Sequence, residues 1–308
     1  MRSAQELSGV LNINKPKGLT SHDVVSRMRR ISGQRRVGHA GTLDPMATGV
    51  LLLCLGQATR VCEYLMADRK VYRAAVRLGI STDTHDSEGQ IVDQADCGHI
   101  TRQQVEGILA EMVGSLEQVP PMYSAIKHQG TPLYRLARRG EIVHRKPRRV
   151  VIHALELLDW SPPQLEARID CSKGTYIRSW ARDLGQRLGC GAHVTSLTRL
   201  ASGRFKLSDA LTLEQIEQAA KQGELAQLLL PLDAALQSFP AVTVGHDLAS
   251  RIRFGQRVQL PDAPQGRLLR AYATDGGLLA LLRSNADGEW QPHKVFMQPD
   301  NDEDHPRS

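Results

Sequence analysis

The chain predicts an α+β fold followed by a smaller β-rich module, on three observations. Stretches of alternating apolar and polar residues stand among stretches of helical spacing, without the steady strand–helix rhythm of a doubly wound sheet. After Pro240 the texture changes to short strand candidates separated by tight turns. The length, 308 residues at 41% hydrophobic and 23% charged, suffices for about two domains with a substantial core.

The elements follow in chain order. Met1 to Leu7 is polar and lacks the apolar centre of a secretory signal. Thr20-Ser21-His22-Asp23 fits a capping box, and Val24, Val25, Met28 and Ile31 follow at helical spacing. That helix carries Arg27, Arg29 and Arg30, with Arg35 and Arg36 just beyond. Gly49 to Leu55 is an apolar run suited to a buried strand or helix segment, far short of the roughly 20 residues that span a bilayer. From Val71 to Gly79, Tyr72, Ala74, Val76 and Leu78 alternate with Arg73 and Arg77, a strand with one wet face. Thr101-x-x-Gln104 opens a second helix through Val105, Ile108, Leu109 and Met112.

Leu165, Ala167, Ile169 and Cys171 mark another alternating strand. It runs into Lys173-Gly174-Thr175 and a helix with Ile177, Ala181, Leu184 and Leu188 inward, stopped at Gly189. Tyr176 and Arg178 then fall in the first helical turn, at a sheet edge where sites are commonly built. The α+β unit is expected over residues 9–235 and the β-rich module over 240–298. Strands are expected at Ala241–Val244, Leu268–Tyr272, Leu278–Leu282 and Lys294–Met297, with hairpin turns at Asp275-Gly276 and Asp287-Gly288. The acidic end, 299–308, is expected to be disordered.

Composition narrows the chemistry. Five cysteines (Cys54, Cys62, Cys97, Cys171, Cys190) are an odd count without C-x-x-C spacing, which points to reduced thiols in a cytosolic protein. The eleven histidines show no metal-ligand spacing, and no Gly-rich nucleotide motif occurs, so neither a metal nor a cofactor is expected. The net charge is +6. Asp300, Asp302, Glu303 and Asp304 against Arg307 put the last nine residues at −3, leaving +9 on the rest and suggesting a polyanionic partner.

Two stretches carry the functional signal. Gly38-His39-Ala40-Gly41-Thr42-Leu43-Asp44-Pro45-Met46-Ala47-Thr48-Gly49-Val50 holds one carboxylate in a loop of glycines and small residues. Asp-Pro alone is a common turn, but no other residue of the chain is a better candidate nucleophile. In residues 123–149, Lys127, Arg135, Arg138, Arg139, Arg145, Lys146, Arg148 and Arg149 stand against the single acid Glu141. Tyr123 and Tyr134 lie among these cations, a mixture suited to phosphates and stacked bases as well as to a solvated basic face. No DNA-binding motif occurs, and RNA is the expected partner.

At these residues the chain resembles the TruB family of tRNA pseudouridine(55) synthases. The resemblance is carried by Gly38–Val50, Leu11–Ser21, Lys70-Val71-Tyr72-Arg73, Ser172–Arg178 and Gly191-Ala192-His193-Val194, in order over about residues 9–205. It implies a catalytic domain with a central mixed, mostly antiparallel sheet flanked by helices. Residues 123–149 match its basic RNA-gripping insertion, and the C-terminal module resembles a PUA-type domain. The implied activity is isomerisation of uridine to pseudouridine in the T arm of tRNA (position 55), by base flipping and without a cofactor. Asp44 matches the catalytic aspartate, Arg178 the arginine paired with it, and Tyr72 the tyrosine that stacks on the extruded base and can take the C5 proton. Tyr176 and Leu197 match pocket residues, His39 the histidine that holds the RNA loop unstacked, and Asp86 and Lys15 polar substrate contacts.

Two other readings stay open. One is a non-catalytic RNA-binding or RNA-folding protein, a role that can also accompany catalysis. The other is a guide-RNA-dependent relative, against which the basic insertion argues, since it suits an enzyme that grips its own substrate. The expected form is a cytoplasmic monomer needing no protein partner, guide RNA or membrane.

Overall fold

The computed structural model describes residues 6–66, 69–264, 266–286 and 288–296. The expected tail 299–308, Met297 and Asp287 lie outside the described residues. The chain begins with β1 (Gly9–Lys15) and α1 (Ser21–Ser32). The Thr20 hydroxyl accepts from the Asp23 N–H at 3.0 Å, and the Asp23 carboxylate accepts from the Thr20 N–H at 2.8 Å, so the capping box closes as the sequence predicts. β2 (Val37–Ala40) and β3 (Thr48–Leu55) flank the Asp44 loop, and α2 (Cys62–Met66) follows. In β4 (Lys70–Leu78), Tyr72, Ala74, Val76 and Leu78 are buried while Arg73 and Arg77 are exposed, the predicted alternation.

A short ribbon, β5 (Ile80–Thr82) with β6 (Ile91–Gln94), leads to α3 (Arg102–Glu111) and β7 (Gly114–Gln118). The basic segment then folds on itself as β8 (Lys127–His128), β9 (Thr131–Pro132) and α4 (Leu133–Ala137) around buried Met122, Leu133 and Leu136. β10 (Arg148–Ser161) and β11 (Gln164–Cys171) form a long hairpin. α5 (Ile177–Arg187), β12 (Ala192–Ser202), β13 (Phe205–Lys206) and α6 (Leu213–Lys221) follow. Tyr176 caps α5 instead of lying inside its first turn.

The main sheet runs β1-β3-β12-β4-β11-β10-β7, with β13 on β12 and β2 on β3. Its pairings are antiparallel except β12 with β3, so the sheet is mixed and mostly antiparallel. Two strands share one edge of β3: β12 pairs with Thr48 and Gly49, and β2 with residues 52–55. The loop between β2 and β3 emerges at this split.

The C-terminal sheet runs β14 (Ala241–Val244), β15 (Leu268–Ala273), β16 (Leu278–Ser284) and β17 (Trp290–Val295), with α7 (His246–Arg253) packed against it. Gly276 turns the β15–β16 hairpin at φ 86°, as its sequence predicts. The last strand starts at Trp290, not Lys294, because its pairing with β16 begins at Trp290 opposite Ser284; buried Trp290 also exchanges backbone hydrogen bonds with Val258 at 2.9 and 3.0 Å. Leu281 and Phe296 share one apolar cluster with Val10, Val50 and Leu52 of the main sheet. Beside it, the Lys294 ammonium reaches Glu63 at 2.7 Å.

Candidate active site

The Asp44 loop is held from beneath by the segment that runs from β1 into α1. Leu43, Met46 and Ala47 are buried on either side of Asp44 and anchor the loop by burial. The Ser21 hydroxyl accepts from the Leu43 N–H at 2.9 Å, and the Pro45 carbonyl accepts from the Gly18 N–H at 2.8 Å. The Lys15 ammonium donates to the carbonyls of Leu19 (2.7 Å), Pro16 (2.9 Å) and Pro45 (3.3 Å). The expectation that Lys15 contacts substrate is therefore corrected: it is fully buried and ties the loop to the end of β1. Burial lowers its pKa to about 8, against the opposing pull of Asp44.

Arg199 closes the split in the sheet. It is 1% exposed, and its guanidinium donates to the Val50 carbonyl at 2.6 Å and the Gly41 carbonyl at 3.0 Å. These acceptors flank the gap that neither β2 nor β12 fills, where a bare carbonyl would carry a desolvation penalty.

Asp44 meets Arg178 in a two-point pair, Nε to Oδ2 at 2.8 Å and Nη2 to Oδ1 at 2.9 Å. Arg178 is buried, whereas the Asp44 side chain stays 31% exposed. The same guanidinium donates to the Thr84 carbonyl (3.2 Å) and the Tyr123 carbonyl (2.8 Å) and lies 3.5 Å from the Asp86 carboxylate. Asp86 is itself buried and accepts from the Thr84 hydroxyl at 2.6 Å, so it faces Arg178 as a second counter-charge behind the pair. That position departs from the expected substrate contact.

Beside the pair opens a cavity of about 250 Å³ lined by Asp44, Tyr72, Tyr176, Leu197 and Arg199, with Lys173-Gly174-Thr175 at its rim. The structure thus gathers four of the expected site residues around one space, with Arg178 behind Asp44. Burial raises the Tyr72 hydroxyl pKa, and the Arg199 guanidinium beside it acts in the opposite sense. Burial also raises that of Tyr176. His39 lies outside the lining, on β2, its ring edge-on to His22 with centroids 5.9 Å apart. Desolvation lowers its pKa, and its Nδ1 is buried without a partner. Sequence reasoning missed Arg199 and Thr84. A buried strand arginine carries no local signal, but Thr84 stands in the same short polar run as Asp86. Among the described residues, no group of His, Cys, Asp or Glu converges to hold a metal ion.

Comparisons with known proteins identify the family. The description "TruB family pseudouridylate synthase (N terminal domain)" fits residues 29–177, and "tRNA pseudouridylate synthase B C-terminal domain" fits 178–237. A tRNA pseudouridine synthase B of Dehalococcoides mccartyi is 45% identical over 293 residues, covering 95% of this chain and 98% of the relative. One from Syntrophotalea carbinolica is 52% identical over 249 residues, covering 81% of each. Among solved structures, a Cbf5-Nop10-Gar1 complex aligns with TM-score 0.74 at 25% identity, over 96% of this chain and 88% of that one. An H/ACA RNP bound to a substrate RNA aligns with TM-score 0.73 at 24% identity, over 94% and 85%, a likeness of fold. On these matches the chain belongs to the TruB family of pseudouridylate synthases.

Proposed function

We propose that the chain isomerises uridine to pseudouridine at position 55 in the T arm of tRNA, with Asp44 as the nucleophile. The observation that carries this reading is the two-point Asp44–Arg178 pair beside a cavity walled by Tyr72, Tyr176 and Leu197. Extruding a base into such a pocket costs a few kcal/mol, offset by stacking and apolar contact with those walls. Arg178 fixes the Asp44 carboxylate toward the sugar and uracil ring. Asp44 adds to the nucleoside, the C1′–N1 bond breaks, the base turns, C1′ joins C5 as the bond to Asp44 is released, and the C5 hydrogen leaves as a proton, a step that Tyr72 at the cavity wall assists. His39, outside the cavity on β2, keeps the opened RNA loop from restacking. Residues 123–149 grip the RNA, and the module at 240–298 adds a PUA-type RNA-binding surface to the 9–235 catalytic unit. The enzyme acts as a cytoplasmic monomer on tRNA alone, without a guide RNA or protein partner.

Tritium release from a bare tRNA transcript labelled at uridine C5 tests this directly. Wild type releases tritium, and Asp44→Asn releases none while binding the transcript as tightly. Turnover by Asp44→Asn removes Asp44 from the chemistry, and the absence of release by wild type removes the stand-alone tRNA reading. The basic insertion also favours a tRNA-folding role, in which Asp44→Asn accelerates folding of a misfolded transcript as wild type does. No acceleration by either protein excludes that role.

A further inference from the structure

Gln118 ends β7 and is 4% exposed. Its side chain reaches across to the residue that begins α5. Nε2 donates to the Tyr176 carbonyl at 3.0 Å, and Oε1 accepts from the Tyr176 N–H at 2.8 Å. The amide thus pairs with a peptide unit as a neighbouring strand does. Tyr176 has no side-chain cap of its own, and its backbone is extended at φ −98°, ψ 110°. Without Gln118 its N–H is an orphan donor at a buried helix start. The next residue of the segment adds a second stitch, for the Ser179 hydroxyl donates to the Val119 carbonyl at 2.8 Å. Residues 118 and 119 therefore bind α5 on both sides of Arg178.

Behind Gln118, between β7 and α5, lies a groove of about 490 Å³ lined by Gln118, Val119, Trp180 and Arg182 among others. The Gln118 amide is nevertheless buried, so both of its hydrogen bonds to Tyr176 lie away from solvent. The two residues it governs serve the site in different ways. Tyr176 presents its ring to the cavity, and Arg178 must meet Asp44 at two points. A small tilt of the first turn of α5 spoils both.

We infer that Gln118 is a positioning residue whose amide clamps the Tyr176 backbone, and thereby aligns the Tyr176 ring and the Arg178–Asp44 pair for the chemical step. This rests on the synthase reading and extends it to a residue that touches neither the base nor Asp44. The clamp requires one donor and one acceptor in a fixed order. A neutral carboxylic acid supplies both, whereas a carboxylate supplies no donor and repels the Tyr176 carbonyl.

Two variants test it. Gln118→Met keeps the volume and removes both hydrogen bonds. Its single-turnover rate on tRNA falls about 10²-fold while tRNA affinity stays within about twofold, the split expected when alignment fails. Gln118→Glu is slow at alkaline pH and recovers toward the wild-type rate as pH falls and its carboxyl protonates, with the wild-type profile divided out. Backbone hydrogen exchange over 173–181, read by mass spectrometry without RNA, quickens in Gln118→Met and not elsewhere. The inference is overturned if Gln118→Met turns over at the wild-type rate, if Gln118→Glu follows Gln118→Met at every pH, or if exchange over 173–181 is unchanged. Failure of the wild type to act on tRNA strikes the synthase reading instead, and the exchange measurement still decides the clamp.

Discussion

Arg178 holds four partner residues because its guanidinium is flat and forked. Two nitrogens meet Asp44, and the fork also reaches the Thr84 and Tyr123 carbonyls and faces Asp86. A lysine brings the charge but neither the fork nor the reach, so the exchange is not conservative. In Arg178→Lys, single-turnover pseudouridine formation drops by about two orders of magnitude or more, with tRNA affinity held, as measured by rapid quench. The titration of His85 is a separate matter. Its backbone sits at φ 62°, and burial together with Arg182, Arg178 and Arg145 lowers its pKa from 6.5 to about 4. Between those values the unfolded chain binds a proton that the folded chain refuses, so stability is present above pH 6.5 and is lost as pH falls toward 4. Asparagine accepts the left-handed backbone and does not titrate. His85→Asn therefore loses about 2–3 kcal/mol less than wild type from neutral pH down to about 4, read by urea unfolding. The pairing of Asp44 with Arg178 was legible because short motifs name residue types. Lys15 was misassigned because a sequence does not show which lysine is buried under three carbonyls.

Elements were legible where their cause is local. The capping boxes at Thr20 and Thr101 need four residues each, and both helices start where the boxes put them. The same signature at Thr212-Gln215 opens α6, a helix the sequence reading leaves out although its signal is as clear. β10 is hidden for another reason. Its outer face is exposed and charged, it begins inside the basic run, and it lacks clean alternation. The junction of β2, β3 and β12 is not readable at all, since it depends on pairing between residues about 150 positions apart. Its one local trace is Gly49, at φ 99°, where an added Cβ lies 2.3 Å from the Arg199 carbonyl oxygen. Gly49→Ala therefore costs about 3 kcal/mol or more, since strain and a backbone clash combine. Gly189→Ala, at φ 75° with open space around it, costs about 1 kcal/mol. Denaturant midpoints at unchanged m-value separate the two. Equal costs refute the claim that close approach to Arg199 makes Gly49 necessary.

For the whole molecule, the charge read from the sequence divides differently in space. The arginines of residues 27–36 look like one basic patch, yet Arg27 pairs with Glu217 at 2.6 Å and Arg29 donates to the Val37 carbonyl. Arg30 and Arg35 stand exposed beside them. The insertion behaves otherwise. Leu133 and Leu136 turn α4 inward, which leaves Arg135 exposed on it and Arg138 and Arg139 exposed at and just past its end, with Arg138 over the Tyr134 ring at 5.8 Å. Among the described residues, a weak contact of 3.9 Å from Arg139 to Glu141 is the one ion pair that offsets these three cations. Such charges are stabilised by a phosphate backbone that releases counterions on binding, and they add little to the fold. Replacing all three by Gln therefore lowers the slope of log Kd for tRNA against log salt by about 0.7–0.9 for each phosphate left unneutralised. The melting temperature stays within a degree or so, because surface pairs of this kind contribute about 0–1 kcal/mol. Filter binding across a salt series gives the slope and a thermal melt gives the stability. A parallel shift with unchanged slope means that α4 shapes the RNA interface without meeting phosphates, whereas a reduced slope at constant stability places the electrostatic grip on this short helix.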